Sequence, residues 1–399
     1  MRGRMDVVWL RQFLALAGPR VWRARLEDIR RQAGASRRAG RMVLQRHAIE
    51  LAIDRLRQPD PGRPPSDAEI RVAALVAETM RTHEALGEAG RIRLREQLAT
   101  ALTARNTLVP LFHLMRSAAL QRARGFTVHH AGLNDGTPFD LLITRDGSEA
   151  ELACDVISAE DGRGMHRGAW FHLVDRIDPD LQTWLAAHPG RYLLKMTLPQ
   201  GLRCTPPDCG QLPILHRRIR AMLDGPHRAD HDEAAILRLD PLLLAGAQAD
   251  ELGLLSHLRH EFGPEAHLAV TASGGGVFAM AARAGQENAV AAAIRRRLAT
   301  IAPTRLTGQR PGILAMFVED TDRTEWRTLR DNMELEGETR QFLTHPDARR
   351  VVAVTCTSRL ELFGLHPPDT RHDGELRFRN PTHPAAKSPA LAPAVLSSI

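Results

Sequence analysis

Aromatic side chains are scarce in this chain, at 4% of residues, and Tyr192 is its sole tyrosine. Single-strand nucleic-acid binders stack bases on exposed rings, so the shortage argues against that mode of recognition. Lysine is scarcer still. Lys195 and Lys387 stand alone among 54 basic residues, so a lysine-dependent reaction has two places to be. The four cysteines, Cys154, Cys204, Cys209 and Cys356, are too few for a disulfide scaffold. Cys204 and Cys209 lack the second pair of a zinc site, so reduced thiols and a cytoplasmic location are expected. No apolar run approaches the roughly 18 residues of a membrane span. The opening MRGRMDVVWLRQFLALAGPRVW places arginines before an apolar stretch. Arg11 interrupts that stretch and no small-residue cleavage site follows, so a signal peptide is not expected.

What is present is unevenly spread. The chain has 399 residues and a formal net charge of +7. Residues 1 to 58 hold 14 arginines against 5 acids, a net of +9, which leaves the remainder at −2. The basic surplus sits in the N-terminal region. Its segments RARLEDIRRQ and GRMVLQRHAIELAIDRLRQ repeat apolar residues at helical spacing, so residues 1–57 read as a basic helical arm. QPDPGRPPSD (58–67) punctuates like a linker, with Ser66 placed to cap the next helix against Glu69. Helical pattern runs on to about Gln121, with a break expected near Pro110.

After Gly125 the rhythm changes to short β-type runs. FTVHHAG, FDLLITRDG and AELACDVISA are bounded by turn residues, including the Asp146-Gly147 pair. A helix around WFHLVDRIDPDLQTWLAAH and the strand RYLLKMTLP follow. Beyond them, AAILRLDPLLL, a hairpin folded at Gly274–Gly276, GILAMFVED and RRVVAVTCTS read as strands between helices. The expectation is a mixed α/β protein: helices plus a core over 68–210, an α/β continuation over 211–379, and a Pro/Ala/Ser-rich disordered tail over 380–399.

Residues 113–163 carry the chemistry. A helix ends at RARGF, PFD opens the second strand with Asp140, and the third strand, AELACDVISAEDGR, carries Glu151 and Asp155. This layout resembles the core of the PD-(D/E)XK, or restriction-endonuclease-like, nucleases, with GQRPGILAMFVED resembling the helix-to-strand continuation of that core. The resemblance implies a mixed sheet flanked by helices, Mg²⁺ as cofactor, and nucleic acid, DNA in particular, as partner. It implies Asp140 and Glu151 as metal ligands, with Asp155 the alternative second acid. In such a site two carboxylates converge on one hard cation, and a lysine two residues after the second acid shares its strand face.

The chain departs from that pattern at the lysine. If Glu151 is the second acid, Ala153 stands where the lysine belongs. If the register shifts by two, Ala153 replaces the acid and Asp155 the lysine. Glu151 and Asp155 share a face, but four steps of ~3.3 Å put them about 13 Å apart. Asp140 is therefore expected beside one of them, Glu151 for preference. Lys195 in RYLLKMTLP would serve as a migrated lysine if that strand joins the same sheet. Arg163, His166 and Arg167, in the loop SAEDGRGMHR, are the expected phosphate contacts, since arginine offers a bidentate fork to phosphate oxygens. Three readings follow: a nuclease-fold nucleic-acid-binding protein with a degenerate site, an active Mg²⁺-dependent endonuclease, and a protein-interaction module whose basic arm docks a partner without nucleic acid. HRADHDE (227–233) reads as a polar loop in preference to a metal site. His129 and His130, adjacent on a strand, point to opposite faces and cannot chelate together.

Overall fold

A computed structural model describes residues 2–58, 62–104, 106–203, 210–242, 251–263, 265–363 and 375–397. The Cys204 and Cys209 pair lies outside them. Helices α1 (Arg2–Ala17), α2 (Pro19–Gly34), α3 (Arg38–Arg46) and α4 (Ala48–Arg57) open the chain. Helix α5 (Asp67–Ala85) starts at a capping box: Ser66 takes the Glu69 N–H, and the Glu69 carboxylate takes the Ser66 N–H at 2.8 Å. After α6 (Glu88–Ala101), α7 (Val109–Ala123) carries Pro110 in its first turn, where a missing N–H costs nothing. The expected break at this proline is thus a helix start. Strand β1 (Thr127–His129), the single turn α8 (Ala131–Asn134), β2 (Leu141–Arg145) and β3 (Ser148–Ser158) follow. Asp146 and Gly147 join β2 to β3 with positive φ at both positions, 47° and 74°, as a tight two-residue hairpin demands.

Next come α9 (Arg167–Ala187), β4 (Arg191–Leu198), α10 (Gln211–Asp224), β5 (Ala229–His231), β6 (Ile236–Pro241), α11 (Glu251–Phe262), β7 (His267–Ser273) and β8 (Gly276–Ala284). The chain continues through α12 (Val290–Arg305), β9 (Gly312–Glu319), α13 (Arg323–Asp331), α14 (Glu334–Leu343), β10 (Val351–Ser358), α15 (Arg359–Leu362), β11 (Leu376–Arg379) and α16 (Ala392–Val395).

The result is a mixed α/β protein with two mixed sheets, divided into two units. Unit 1 comprises residues 1–30, 44–161 and 291–399; unit 2 comprises 31–43 and 162–290. In unit 1 the sheet order is β1-β2-β3-β9-β10-β11. The pairs β1/β2, β2/β3 and β10/β11 are antiparallel, while β3, β9 and β10 run parallel. β10 is buried along its whole length and β9 along all but Glu319, which is why GILAMFV and VVAVTC lack alternation. One core joins this sheet to the N-terminal helices: Phe13, Trp22, Leu26, Ile53, Val72 and Phe112 pack with Leu141, Ile143, Leu152, Ala315 and Phe317. Helices α1 and α4 and the first half of α2 thus share the core of unit 1. Trp22, Arg25, Leu26 and Ile29 turn one face of α2 inward and leave Arg20, Arg23 and Arg30 on the other.

In unit 2 the order is β5-β6-β4-β8-β7, with β4 parallel to β8. Trp170, Leu173, Ile177 and Leu181 of α9 cover Leu194, Met196, Phe278 and Met280. Residues 31–43 belong here because the Arg38 and Ala39 N–H groups donate to Asp175. Two expectations are corrected. RYLLKMTLP pairs with β6 and β8 in this second sheet, not with the strands carrying Asp140 and Glu151. The tail is packed: Leu391, Ala394 and Val395 are buried in the core of unit 1, since its few apolar residues find β10 and β11 despite a disorder-like composition. No helix among the described residues is long and apolar enough to cross a membrane.

Candidate functional site

Asp140 sits where β2 begins. Its N–H donates to Leu152 O at 3.0 Å and its C=O accepts the Gly132 N–H at 3.0 Å. A Cβ on Gly132 would lie 2.9 Å from Phe139 O and 3.1 Å from Asp140 Cα, so glycine permits the close approach that sets Asp140's backbone. Strand β3 outruns β2, whose pairing ends at Leu141 with Leu152. Cys154 is thereby left without a partner strand on that side, and the Asp140 carboxylate accepts its N–H at 2.7 Å. This corrects the expected neighbour. Asp140 reaches toward the Cys154–Asp155 end of β3, and Glu151 lies one residue N-terminal of the β3 residue paired with Leu141. Burial pushes the Asp140 carboxyl above its ordinary range; Arg305 and the Cys154 N–H pull it back, and Asp155 adds to the rise.

Each of the three acids is met by an arginine from one segment. Arg305, the last residue of α12, donates to Asp140 Oδ2 at 2.7 Å. Arg297, two turns earlier, forms a bidentate pair with Asp155 at 2.5 and 2.8 Å. Arg310, just before β9, lies 3.9 Å from Glu151 Oε1 and 2.5 Å from Glu149 Oε2. The Glu151 side chain is fully buried. Its oxygens accept the Thr307 N–H at 2.8 Å and the Thr307 hydroxyl. It pins the turn between α12 and β9, a structural duty that leaves it little freedom to ligate a metal.

The remaining expected site residues belong to unit 2. Lys195 pairs with Asp240 of β6 at 3.4 Å, a cross-strand contact that accounts for its presence in an apolar strand. Arg163 is 1% exposed, so contact with a phosphate would require the surrounding chain to open. His166 stands just before α9 without a side-chain capping bond, and its N–H donates to Leu202 O at 2.9 Å; Arg167 begins that helix. Burial, with Arg167 and Arg163 close by, holds the His267 imidazole down to about 3. HRADHDE is not wholly the polar loop it reads as: Ala229–His231 form β5 against β6, and Asp232, held by Arg218 at 2.7 Å, accepts the Ala234 and Ala235 N–H groups in the turn that follows. His129 pairs with Asp135 at 2.7 Å.

Sequence reasoning missed a second polar group in unit 1, at the carboxyl ends of the parallel strands, where open α/β sheets place their ligands. Ser158 ends β3 and donates to Asp320 at 2.6 Å. Asp320 follows β9 with φ 59°, a strained setting for a residue with a side chain. Burial and Asp320 push the neighbouring Glu319 carboxyl up. With Arg46 and Arg359, Glu319 and Asp320 line a small pocket whose other wall is Ile49, Val109, Phe317 and Phe363. The one signal for it was the acid pair ending the apolar run GILAMFVED. Arg297, Arg305 and Arg310 gave no usable signal among so many arginines.

The acids do not suit Mg²⁺ as arranged. A divalent ion beside Asp140 and Asp155 would meet two guanidinium groups already bound there. Among the described residues, no three His, Cys, Asp or Glu side chains are grouped to hold a metal ion. Comparison of the chain with protein-family models, with curated proteins and with solved structures returned no match.

Proposed function

We propose that unit 1 is a restriction-endonuclease-like core that binds nucleic acid and does not cleave it by a Mg²⁺-dependent route at Asp140. The observation that carries this reading is the set of ion pairs between Arg297, Arg305 and Arg310 and the acids Asp155, Asp140 and Glu151. The order of elements supports the core: α7, the antiparallel run β1-β2-β3, then α12 and the parallel strand β9. Asp140 opens β2, as in the family resembled. Lys195 contributes no lysine to this sheet.

Nucleic-acid binding rests on the basic N-terminal helices. Part of their charge is spent internally, in Arg25–Glu50, Arg30–Asp54, Arg46–Asp320 and Arg55–Glu69 pairs. Arg11, Arg20 and Arg23 are exposed, and Arg20 and Arg23 lie three residues apart on one side of α2. Phosphate contacts from such side chains release counterions, at a slope of about 0.9 per contact on duplex DNA. Fluorescence anisotropy with duplex DNA, single-stranded DNA and RNA across a salt series tests this. Replacing Arg20 and Arg23 with glutamine should weaken binding and lower the salt slope by about 2. A slope and affinity unchanged in the double variant would remove α2 from the interface, and no binding to any of the three would leave the protein-interaction reading.

A further inference from the structure

We propose that the oxygens of Pro138, Asp140 and Cys154 form a cation site that the chain fills with its own Arg305. The guanidinium donates from Nε to the Pro138 carbonyl at 2.6 Å, from Nη2 to Asp140 Oδ2 at 2.7 Å, and from Nη1 to the Cys154 carbonyl at 3.4 Å. An ordinary surface ion pair needs a carboxylate alone. Here two main-chain carbonyls converge with it, and the reason lies in the sheet. β2 ends its pairing at Leu141 while β3 continues to Ser158, so the Cys154 N–H and C=O face a gap. Asp140 fills the first of these and Arg305 the second.

Carboxylate and carbonyl oxygens gathered in this way are the donors that hard divalent cations use. The negative charge of Asp155 adds to the field at Asp140. Arg305 is the resident counter-ion of this site, and its side chain keeps dissolved cations out. The inference stands on these oxygens alone and holds whether or not the protein binds nucleic acid, which its test does not read.

The test compares the full chain with Arg305→Ala and Arg305→Gln, the second keeping much of the packing while removing the charge. Mn²⁺ is the probe, followed by electron paramagnetic resonance and by thermal melting, with Mg²⁺ and guanidinium chloride at millimolar levels as further arms. The wild type should show no saturable Mn²⁺ binding and no shift in melting temperature. A folded Arg305 variant should bind one Mn²⁺ at least about tenfold more tightly than the wild type, and melt higher with either cation. Asp140→Asn in that background should cancel both effects. A folded variant that neither binds Mn²⁺ nor is stabilised by guanidinium overturns the proposal. So does a wild type that binds Mn²⁺ as tightly as the variant through Asp140.

Discussion

Replacing Glu151 separates a metal ligand from a structural anchor. The carboxylate is fully buried, accepts the Thr307 N–H at 2.8 Å and the Thr307 hydroxyl, and has Arg310 at 3.9 Å. Glu151→Gln keeps the volume and one acceptor. The amide oxygen takes the Thr307 N–H, its NH₂ turns the hydroxyl into an acceptor, and the loss is the charge assistance, about 1–2 kcal/mol. Glu151→Ala leaves both donors buried without an acceptor and opens a void, for a loss of about 3–5 kcal/mol. At roughly 2–4 °C per kcal/mol for a unit of this size, the alanine variant should melt about 10 °C lower. Urea titration gives the free energies, and a double-mutant cycle with Thr307→Val isolates the shared bond, expected to couple by about 1 kcal/mol or more. Nucleic-acid affinity should not change. If both variants stay within about 0.5 kcal/mol of the wild type, the anchoring argument is wrong.

Three further outcomes are expected. Gly132→Ala must displace Phe139 O or the Asp140 backbone; a loss of about 1–3 kcal/mol, with faster hydrogen exchange at the Cys154 amide, would show that Asp140 has moved. Asp155→Asn should cost no more than about 1 kcal/mol by urea titration, because Arg297 is 44% exposed and water screens the pair. Acid should weaken the protein through His113 and His130, which burial holds down to about 4, with Arg122 adding to the fall at His130. Both are neutral in the fold, so the unfolded chain takes up protons first. The stability these two contribute should therefore fall between pH 6.5 and about 4, with a shallower fall in His130→Gln; urea midpoints across that range check it.

The elements of unit 1 were legible because their signals are local. Asp146-Gly147 fixes a hairpin, Ser66 and Glu69 cap α5, and unbroken apolar runs mark the buried parallel strands. Long-range placement was not legible. RYLLKMTLP has the composition of any half-buried strand, and nothing in it states which sheet it joins. The same limit hid the arginine partners. Residues 297–310 meet the acids only because β9 lies parallel to β3 and draws the end of α12 beside it. The tail misled for the opposite reason: its overall composition reads as disordered, while Leu391, Ala394 and Val395 are enough to anchor it. The place of Asp140 at the start of β2 was legible in sequence, but its neighbour was not, because the gap left by the early end of β2 is a property of register.

The central claim, nucleic-acid binding without Mg²⁺-dependent cleavage at arginine-held acids, is tested most directly by one incubation. Purified protein is mixed with supercoiled plasmid, linear duplex, single-stranded DNA and RNA in Mg²⁺ or Mn²⁺, and each mixture is run on both native and denaturing gels. The account predicts retarded nucleic acid on the native gel and intact strands on the denaturing one. Metal-dependent nicking or degradation that disappears in Asp140→Asn would contradict it.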